Sequence, residues 1–139
     1  MTEENKAVVR RFFEEMLNQG DLASADEVFA ANMTFRGSYL PEMRGIEAAK
    51  GFCAAIRAAF PDIHYDVLDL IAEADKVAVR WLATGVHQGE WLGVAATGRR
   101  MNVTGTTTFR LSDGKIEDHW VDWDALAQMR QLGVLPEEG

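Results

Sequence analysis

The hydrophobic periodicity of this chain changes at Pro61, and no other feature constrains the fold as strongly. Before Pro61, apolar residues recur at helical spacing, which predicts helices over residues 3–19, from Leu22 to Phe29 or Ala30, and from Ile46 to Ala59. After Pro61, apolar and polar residues alternate, as they do in strands that bury one face. Helices followed by strands favour an α+β domain in which helices cover one face of a curved antiparallel sheet.

The alternating region divides into strands separated by turn residues. Strands are predicted at residues 32–36, 63–68, 77–83 and 100–111 and after the hairpin turn Asp113-Gly114, and a closing helix is predicted at residues 125–132. No repeat, linker or low-complexity segment suggests a second domain, so residues 1–139 are predicted to form one domain.

Charge and side-chain type limit the partners. Fourteen Lys and Arg against 22 Asp and Glu give a net charge of −8, so nucleic acid and anionic membranes are not expected partners. A row formed by Thr104, Thr106 and Thr108 predicts a β-branched outer face that suits contact with a second subunit.

Cysteine and histidine usage limits location and cofactors. Cys53 stands alone and no signal-like or membrane-length apolar run is present, which predicts a cytoplasmic protein without disulfides. His64, His87 and His119 are scattered without metal-ligand spacing, and the glycines form no phosphate-binding motif. We therefore expect no metal and no nucleotide cofactor.

The final strand carries the candidate proton-transfer group. Strict alternation turns one set of side chains inward, namely Ile116, Asp118, Trp120 and Asp122. The same alternation turns His119 outward, towards a subunit interface or solvent. An apolar face carries carboxylates only where they are paired, solvated or used. If this face lines a pocket, burial beside aromatic rings raises the pKa of Asp118 and makes it an acid/base near neutral pH. A structural carboxylate that holds the strand is the alternative.

Aromatic residues and a histidine are candidates for the same pocket. Trp81, Phe109 and Trp120 are predicted to form its apolar wall. His87 shares the strand parity of Trp81, which predicts that it points inward. It is either a proton partner at the pocket mouth or a turn-side histidine bound to a backbone carbonyl.

Arg36 and Asp122 are candidate substrate-binding residues, each with a structural alternative. Arg36 could bind a substrate carboxylate or enolate, or it could pair with Asp118 or Asp122. Such a pair would lower the pKa of Asp118 and argue against base catalysis. Asp122 lies nearer the strand end, where solvation or helix capping would also explain it.

Several short segments follow one another in an order typical of a known family. They are Phe60-Pro-Asp62, Asp75-Lys-Val-Ala-Val-Arg-Trp81, Gly85-Val-His-Gln-Gly-Glu-Trp-Leu-Gly93, Ala96-Thr-Gly-Arg-Arg100, Asp113-Gly-Lys-Ile116 and Gln131-Leu-Gly133. With this ordered set the chain resembles the SnoaL-like polyketide cyclases, within the nuclear transport factor 2-like superfamily, over nearly its whole length.

The resemblance implies a fold and a reaction. The fold is a cone, also described as a cystatin-like α+β barrel, in which a curved mixed or antiparallel sheet wraps around three N-terminal helices. Dimers form through the outer face of the sheet, and an apolar pocket opens at the wide end. Characterised cyclases of the family close a ring by an intramolecular aldol reaction without metal or nucleotide, using one acid on the last long strand. Its position before the Trp of Gly-Lys-Ile-x-x-x-Trp assigns that role to Asp118 here.

Two departures from the family pattern leave the activity open. The cyclases support their acid with a neighbouring histidine, where this chain has threonines on the adjacent strand. Many relatives carry another histidine after the first short strand, where this chain has Thr34-Phe35-Arg36. We expect a cofactor-free cyclase acting on an apolar carbonyl substrate, with Asp118 as general acid/base. The alternatives are an isomerase or epoxide hydrolase on the same fold, or a non-catalytic small-molecule-binding protein.

Overall fold

This computed structural model describes residues 2–136, which contain four α-helices and six β-strands. The first and the last of these elements are helices. The helices are α1 (Thr2–Arg11), α2 (Ala25–Val28), α3 (Ile46–Ala59) and α4 (Ala125–Gln131). The strands are β1 (Phe29–Gly37), β2 (Leu40–Arg44), β3 (His64–Glu73), β4 (Lys76–Val86), β5 (Arg100–Ser112) and β6 (Lys115–Trp123). A π-helical segment (Phe12–Asn18) prolongs α1, and a 3-10 turn (Leu22–Ser24) precedes α2.

The strands form one curved, unclosed sheet in the order β2-β1-β6-β5-β4-β3. β1 and β6 are parallel and every other neighbouring pair is antiparallel, so the sheet is mixed. The core joins its inner face to α1, the π-helical segment and α3, through residues such as Val9, Phe13 and Ile56. This architecture confirms the predicted α+β fold class. None of the helices within residues 2–136 combines the length and apolar character needed to cross a membrane.

The element boundaries agree with the sequence patterns where pattern and pairing coincide. α3 has its predicted bounds, whereas the predicted helix beginning at Leu22 ends at Val28 because Phe29 already belongs to β1. Residues 40–44, which were not among the predicted strands, form the edge strand β2, which pairs antiparallel with β1. Pro41 obscures this strand in the sequence, but an edge strand tolerates proline because one side of its backbone has no partner strand.

The hairpin from β5 to β6 begins as predicted. On β5, Phe109 is fully buried, whereas Thr104 and Thr106 are exposed on the outer face. The turn uses positive φ at both Asp113 (51°) and Gly114 (75°), the geometry that favours Asp-Gly in a two-residue hairpin.

A β-bulge in β6 then reverses the predicted orientation of the rest of the strand. The adjacent β5 residues Arg110 and Leu111 pair with Asp118 and Ile116, so Glu117 is an extra residue on β6. Because side chains alternate along a strand, one extra residue turns every later side chain to the other face. The prediction that Asp118 points inward with Ile116 is therefore wrong.

The same correction applies to the neighbours of Asp118. His119, predicted outward, is 5% exposed inside the cone, whereas Trp120, predicted inward, is 37% exposed on the outer face. Asp122 is also exposed, on the side of Trp120. The bulge keeps the carboxylates of Asp118 and Asp122 out of the apolar interior, where an ionised group would lose its hydration.

Candidate active site

The interior of the cone contains two small neighbouring chambers. They share the lining residues Phe52, Ile56, Tyr65, Trp81 and Val121. The first, of about 50 Å³, is the Gln128 chamber, which is also bordered by Trp91, Trp123 and Gln128. The second, of about 30 Å³, is the His119 chamber, which is also bordered by Phe12, Thr107 and His119. None of the described residues that line either chamber is an Asp, Glu, Lys or Arg.

Trp81, on β4, lines both chambers and belongs to their apolar wall, as the sequence predicted for it. A β-carbon at Gly105, its partner on β5, would come within 2.3 Å of the indole ring, so only glycine lets the ring lie across β5. The indole nitrogen donates a 3.0 Å hydrogen bond to Thr107 Oγ1. The ring of Tyr65 packs edge-on against Trp81 with centroids 5.1 Å apart, which completes this wall.

His119 is the titratable group at the end of the His119 chamber. Its ring stacks on Phe35 at 5.1 Å and packs against Phe109 at 5.2 Å and Phe12 at 5.7 Å. The Nδ1 atom is buried and has no hydrogen-bond partner among residues 2–136. A buried polar atom without a partner in the protein is costly, so this nitrogen is a candidate for contact with a ligand.

Burial keeps the His119 ring neutral. Loss of hydration lowers its pKa from about 6.5 to about 3, and the negative charge of neighbouring Asp118 opposes this shift only in part. At neutral pH the ring therefore has a free nitrogen lone pair, which can accept a proton or a hydrogen bond.

Asp118 is held by partners on the outer face instead. Its carboxylate accepts hydrogen bonds from Arg110 Nη2 at 2.5 Å, from Arg110 Nε at 3.1 Å, and from the Thr34 hydroxyl. Partial burial alone would raise the pKa of Asp118, but the Thr34 hydrogen bond and the Arg110 guanidinium lower it below its usual range. The predicted rise in this pKa is therefore wrong. The guanidinium clamp is the structural alternative that the sequence left open.

Three other predicted substrate-binding residues also lie outside, namely Trp120 and Asp122 on β6 and Arg36 on β1. Trp120 carries the Arg36 guanidinium over its ring, 4.7 Å from the centroid. Arg36 donates a 3.1 Å hydrogen bond to Glu42 and makes no direct bond to either predicted aspartate partner. Asp122 accepts a hydrogen bond from the Ser38 hydroxyl. The structure therefore does not bring these three residues to the two chambers.

His87 points inward, as its parity predicted, but it borders neither chamber. The ring is fully buried and packs on Phe60 with centroids 5.4 Å apart. Its Nδ1 accepts a hydrogen bond from the backbone N–H of Thr97 at 3.2 Å, and its own backbone N–H donates to Arg99 at 2.8 Å. These bonds close the loop that carries Trp91, whereas the buried Nε2 of His87 has no hydrogen-bond partner among residues 2–136.

Sequence reasoning missed four polar residues that do border the chambers, Tyr65, Thr107, His119 and Gln128. A signal for His119 was present: it begins the alternating set His119, Val121 and Trp123, which is less polar than the competing set with two aspartates. Gln128 carried no such signal, because a glutamine on a short helix ordinarily faces solvent.

Comparisons with known proteins identify the family of the chain. The profile of the family described as SnoaL-like polyketide cyclase matches residues 7–132. Aklanonic acid methyl ester cyclase DnrD of Streptomyces peucetius is 36% identical over 95 residues, 67% of this chain and 65% of that protein, so the chain spans less than two thirds of that relative.

Solved structures extend the likeness to the whole fold. A Jannaschia sp. CCS1 protein classed with the SnoaL-like polyketide cyclases has a TM-score of 0.89 and 28% identity, covering 97% of this chain and 95% of that one. An LEH-like epoxide hydrolase of M. tuberculosis has a TM-score of 0.76 over 94% of this chain and 90% of that one, but at 14% identity it shows the fold alone. The resemblance found in the sequence is confirmed.

Proposed function

We propose, because this chain belongs to the SnoaL-like polyketide cyclase family, that it closes a carbon ring in an apolar, carbonyl-bearing substrate. His119 is the residue that moves the proton. The observation that carries this assignment is the buried, unpartnered Nδ1 of a neutral imidazole beside an apolar chamber. Asp118, the acid expected from the sequence, is held on the other face by Arg110 and is not proposed for this role.

The reaction is an intramolecular aldol addition in which substrate and product are isomers. The imidazole takes a proton from a carbon next to a carbonyl group, and the resulting enolate attacks a second carbonyl carbon of the same molecule. A carbon–carbon bond forms, and the electron pair of the attacked carbonyl moves to its oxygen. The imidazolium returns the proton to that oxygen, so the step needs no oxidant, reductant or cofactor.

The low pKa of His119 is compatible with this role because it describes the empty chamber. An enolate that forms beside the ring is an opposite charge, and an opposite charge at short range favours the protonated imidazole. The same dry surroundings strengthen that attraction relative to water. The pKa of His119 therefore rises as the reaction proceeds, and proton return to the product restores the neutral ring.

Substrate entry requires side chains to move. The chambers measure about 50 Å³ and 30 Å³, whereas pockets for drug-sized ligands usually hold roughly 300 Å³ or more. The side chains that line the two chambers must therefore be displaced before a substrate of that size can bind.

A pair of adjacent variants tests the assignment. The relative's name suggests aklanonic acid methyl ester as the assay compound, with product identified by chromatography at unchanged mass. We expect His119→Asn to lower kcat/KM by roughly a hundredfold or more, the usual size of a general acid/base contribution. Asp118→Asn, the matched control, should stay within a few-fold of wild type. An inactive Asp118→Asn beside an active His119→Asn would contradict the assignment, and an inert wild type would reject this substrate class.

We also propose a homodimer through the outer face of the sheet, in the cytoplasm. The exposed Trp120 ring and the row of exposed threonines Thr104 and Thr106 support a second copy as the partner of this face. Light scattering should give the mass of a dimer for wild type and of a monomer for Trp120→Glu. A monomeric wild type would contradict the assembly without touching the proposed chemistry.

A further inference from the structure

Gln128 presents a buried amide at the wall of the Gln128 chamber. It lies on α4 and is 4% exposed. Its Oε1 accepts hydrogen bonds from the indole nitrogens of Trp123 at 3.0 Å and Trp91 at 3.2 Å. α4 is itself fixed to β5, because the Gln131 side chain bonds both backbone groups of Asn102, at 2.7 and 2.8 Å.

The two indoles determine which way the amide of Gln128 faces. An indole N–H can only donate, so the end of the amide that meets Trp91 and Trp123 must be the oxygen. The NH2 group consequently points the other way, where its neighbour is Met101 Sδ at 3.1 Å. A thioether is a weak acceptor, so this buried donor lacks a strong acceptor in the protein.

Few other donors face the chamber. All three indole N–H groups that border it already donate to side-chain oxygens of the protein. Among its described lining residues, the Gln128 amide and the Tyr65 hydroxyl remain available to a ligand. The chamber is otherwise apolar, and a neutral donor in such surroundings selects a neutral acceptor, since burying an unpaired charge there would be costly.

We propose that Gln128 is a ligand-binding residue whose amide N–H donates to a carbonyl oxygen, a ketone or an ester, of the molecule bound in the Gln128 chamber. The choice of a carbonyl compound rests on the proposed function, whereas the donor itself follows from the geometry of the amide. Trp91 and Trp123 act on the ligand through Gln128, by holding the amide in the donating orientation.

A matched pair of ligands tests this assignment without turnover. The probes are 2-acetylnaphthalene, which has a ketone, and 2-isopropenylnaphthalene, in which a CH2 group replaces the carbonyl oxygen, so that the shape is nearly the same and the acceptor is absent. Tryptophan fluorescence gives the dissociation constant of each probe, and the ratio of the two constants is compared between variants. We expect Gln128→Met to weaken ketone binding relative to hydrocarbon binding by about tenfold, the equivalent of one hydrogen bond. Gln19→Met makes the same substitution at an exposed position outside the chamber and should leave the ratio as in wild type.

A spectroscopic readout on the wild type covers the case in which Gln128→Met does not fold. The side-chain ¹⁵N–¹H resonances of Gln128 should shift on addition of 2-acetylnaphthalene and not on addition of the hydrocarbon. An unchanged ratio in a folded Gln128→Met, equal amide shifts with both probes, or no binding of either probe would overturn the proposal. A Gln128-dependent ratio in a protein without ring-closing activity would reject the proposed function alone.

Discussion

The two faces of β6 hold adjacent titratable residues in opposite surroundings. On the outer face, Asp118 is 17% exposed in its side chain and bonded to Arg110 and Thr34, so its charged form is favoured. On the inner face, His119 is surrounded by aromatic rings and its neutral form is favoured. The comparison teaches that the environment on each face of the strand, rather than the acidity of the residue, decides which side chain can accept a proton in the interior.

The bulge at Glu117 maintains this division, so its removal should have the largest effect. Deleting Glu117 restores strict alternation and forces either the aspartates or Ile116 onto the wrong face of the sheet. We expect a loss of roughly 4 kcal/mol or more in the free energy of unfolding, measured with urea, because buried carboxylates would lack partners. The control Glu117→Ala keeps the bulge and loses an ion pair of half-exposed side chains, which should cost about 1 kcal/mol or less. Equal stabilities for the two variants would contradict the role of the bulge.

Because of His119 on the inner face of β6, the free energy of unfolding should fall as the pH is lowered. The folded state holds the pKa of His119 at about 3, below its ordinary value of about 6.5, so the unfolded state binds the proton first as the pH falls. Between about pH 6.5 and pH 3, His119 therefore lowers the free energy of unfolding by about 1.4 kcal/mol for each unit by which the pH falls. Above about pH 6.5 the ring is neutral in both states, and this loss of stability is absent.

Replacing the ring separates this effect from other acid-sensitive groups. His119→Phe preserves an aromatic ring among Phe35 and Phe109 and should remove that slope from urea-unfolding curves recorded at neutral and mildly acidic pH. His64→Gln removes an exposed histidine instead and should keep the slope. Parallel curves for wild type and His119→Phe would show that the ring is not desolvated.

The outer face should respond at lower pH and more weakly. Asp118→Asn removes the charge that Arg110 and Thr34 hold, which should cost about 1–2 kcal/mol at neutral pH. Because the folded-state pKa of Asp118 is lowered, this contribution is present above about pH 3.9, the unfolded value, and disappears as the pH falls through the folded one. Asp122→Asn, on the same face but exposed, should change the unfolding free energy by less than about 0.5 kcal/mol. Equal effects of the two variants would argue against the Arg110 clamp.

The sequence predicts those parts of the molecule in which local pattern and pairing agree. The bounds of α3, the outward threonines of β5 and the turn at Asp113-Gly114 follow from periodicity and from the φ angles that Asp-Gly permits. Periodicity gave the α+β class, and the family resemblance added the curved sheet wrapped around N-terminal helices.

The site was harder to predict, because one residue without a partner on β5, Glu117, decides which side chains of β6 face the interior. Alternation gives the correct set of side chains on each face only when the register is continuous, and Glu117 interrupts it. The position of Gln128 depends on how α4 returns to β5, a tertiary contact without a local sequence signal. Physical chemistry still gave a warning, since a face with two aspartates was a poor candidate for the interior.

The protonation state of His119 tests the central claim most directly. A ¹⁵N NMR titration of the imidazole, with the signal assigned by its absence from His119→Phe and the exposed His64 as internal reference, reports the charge of the ring itself. The account predicts a ring that stays neutral well below pH 6.5, towards its folded pKa of about 3. A ring that gains its proton near pH 6.5, as a hydrated histidine does, would contradict the account.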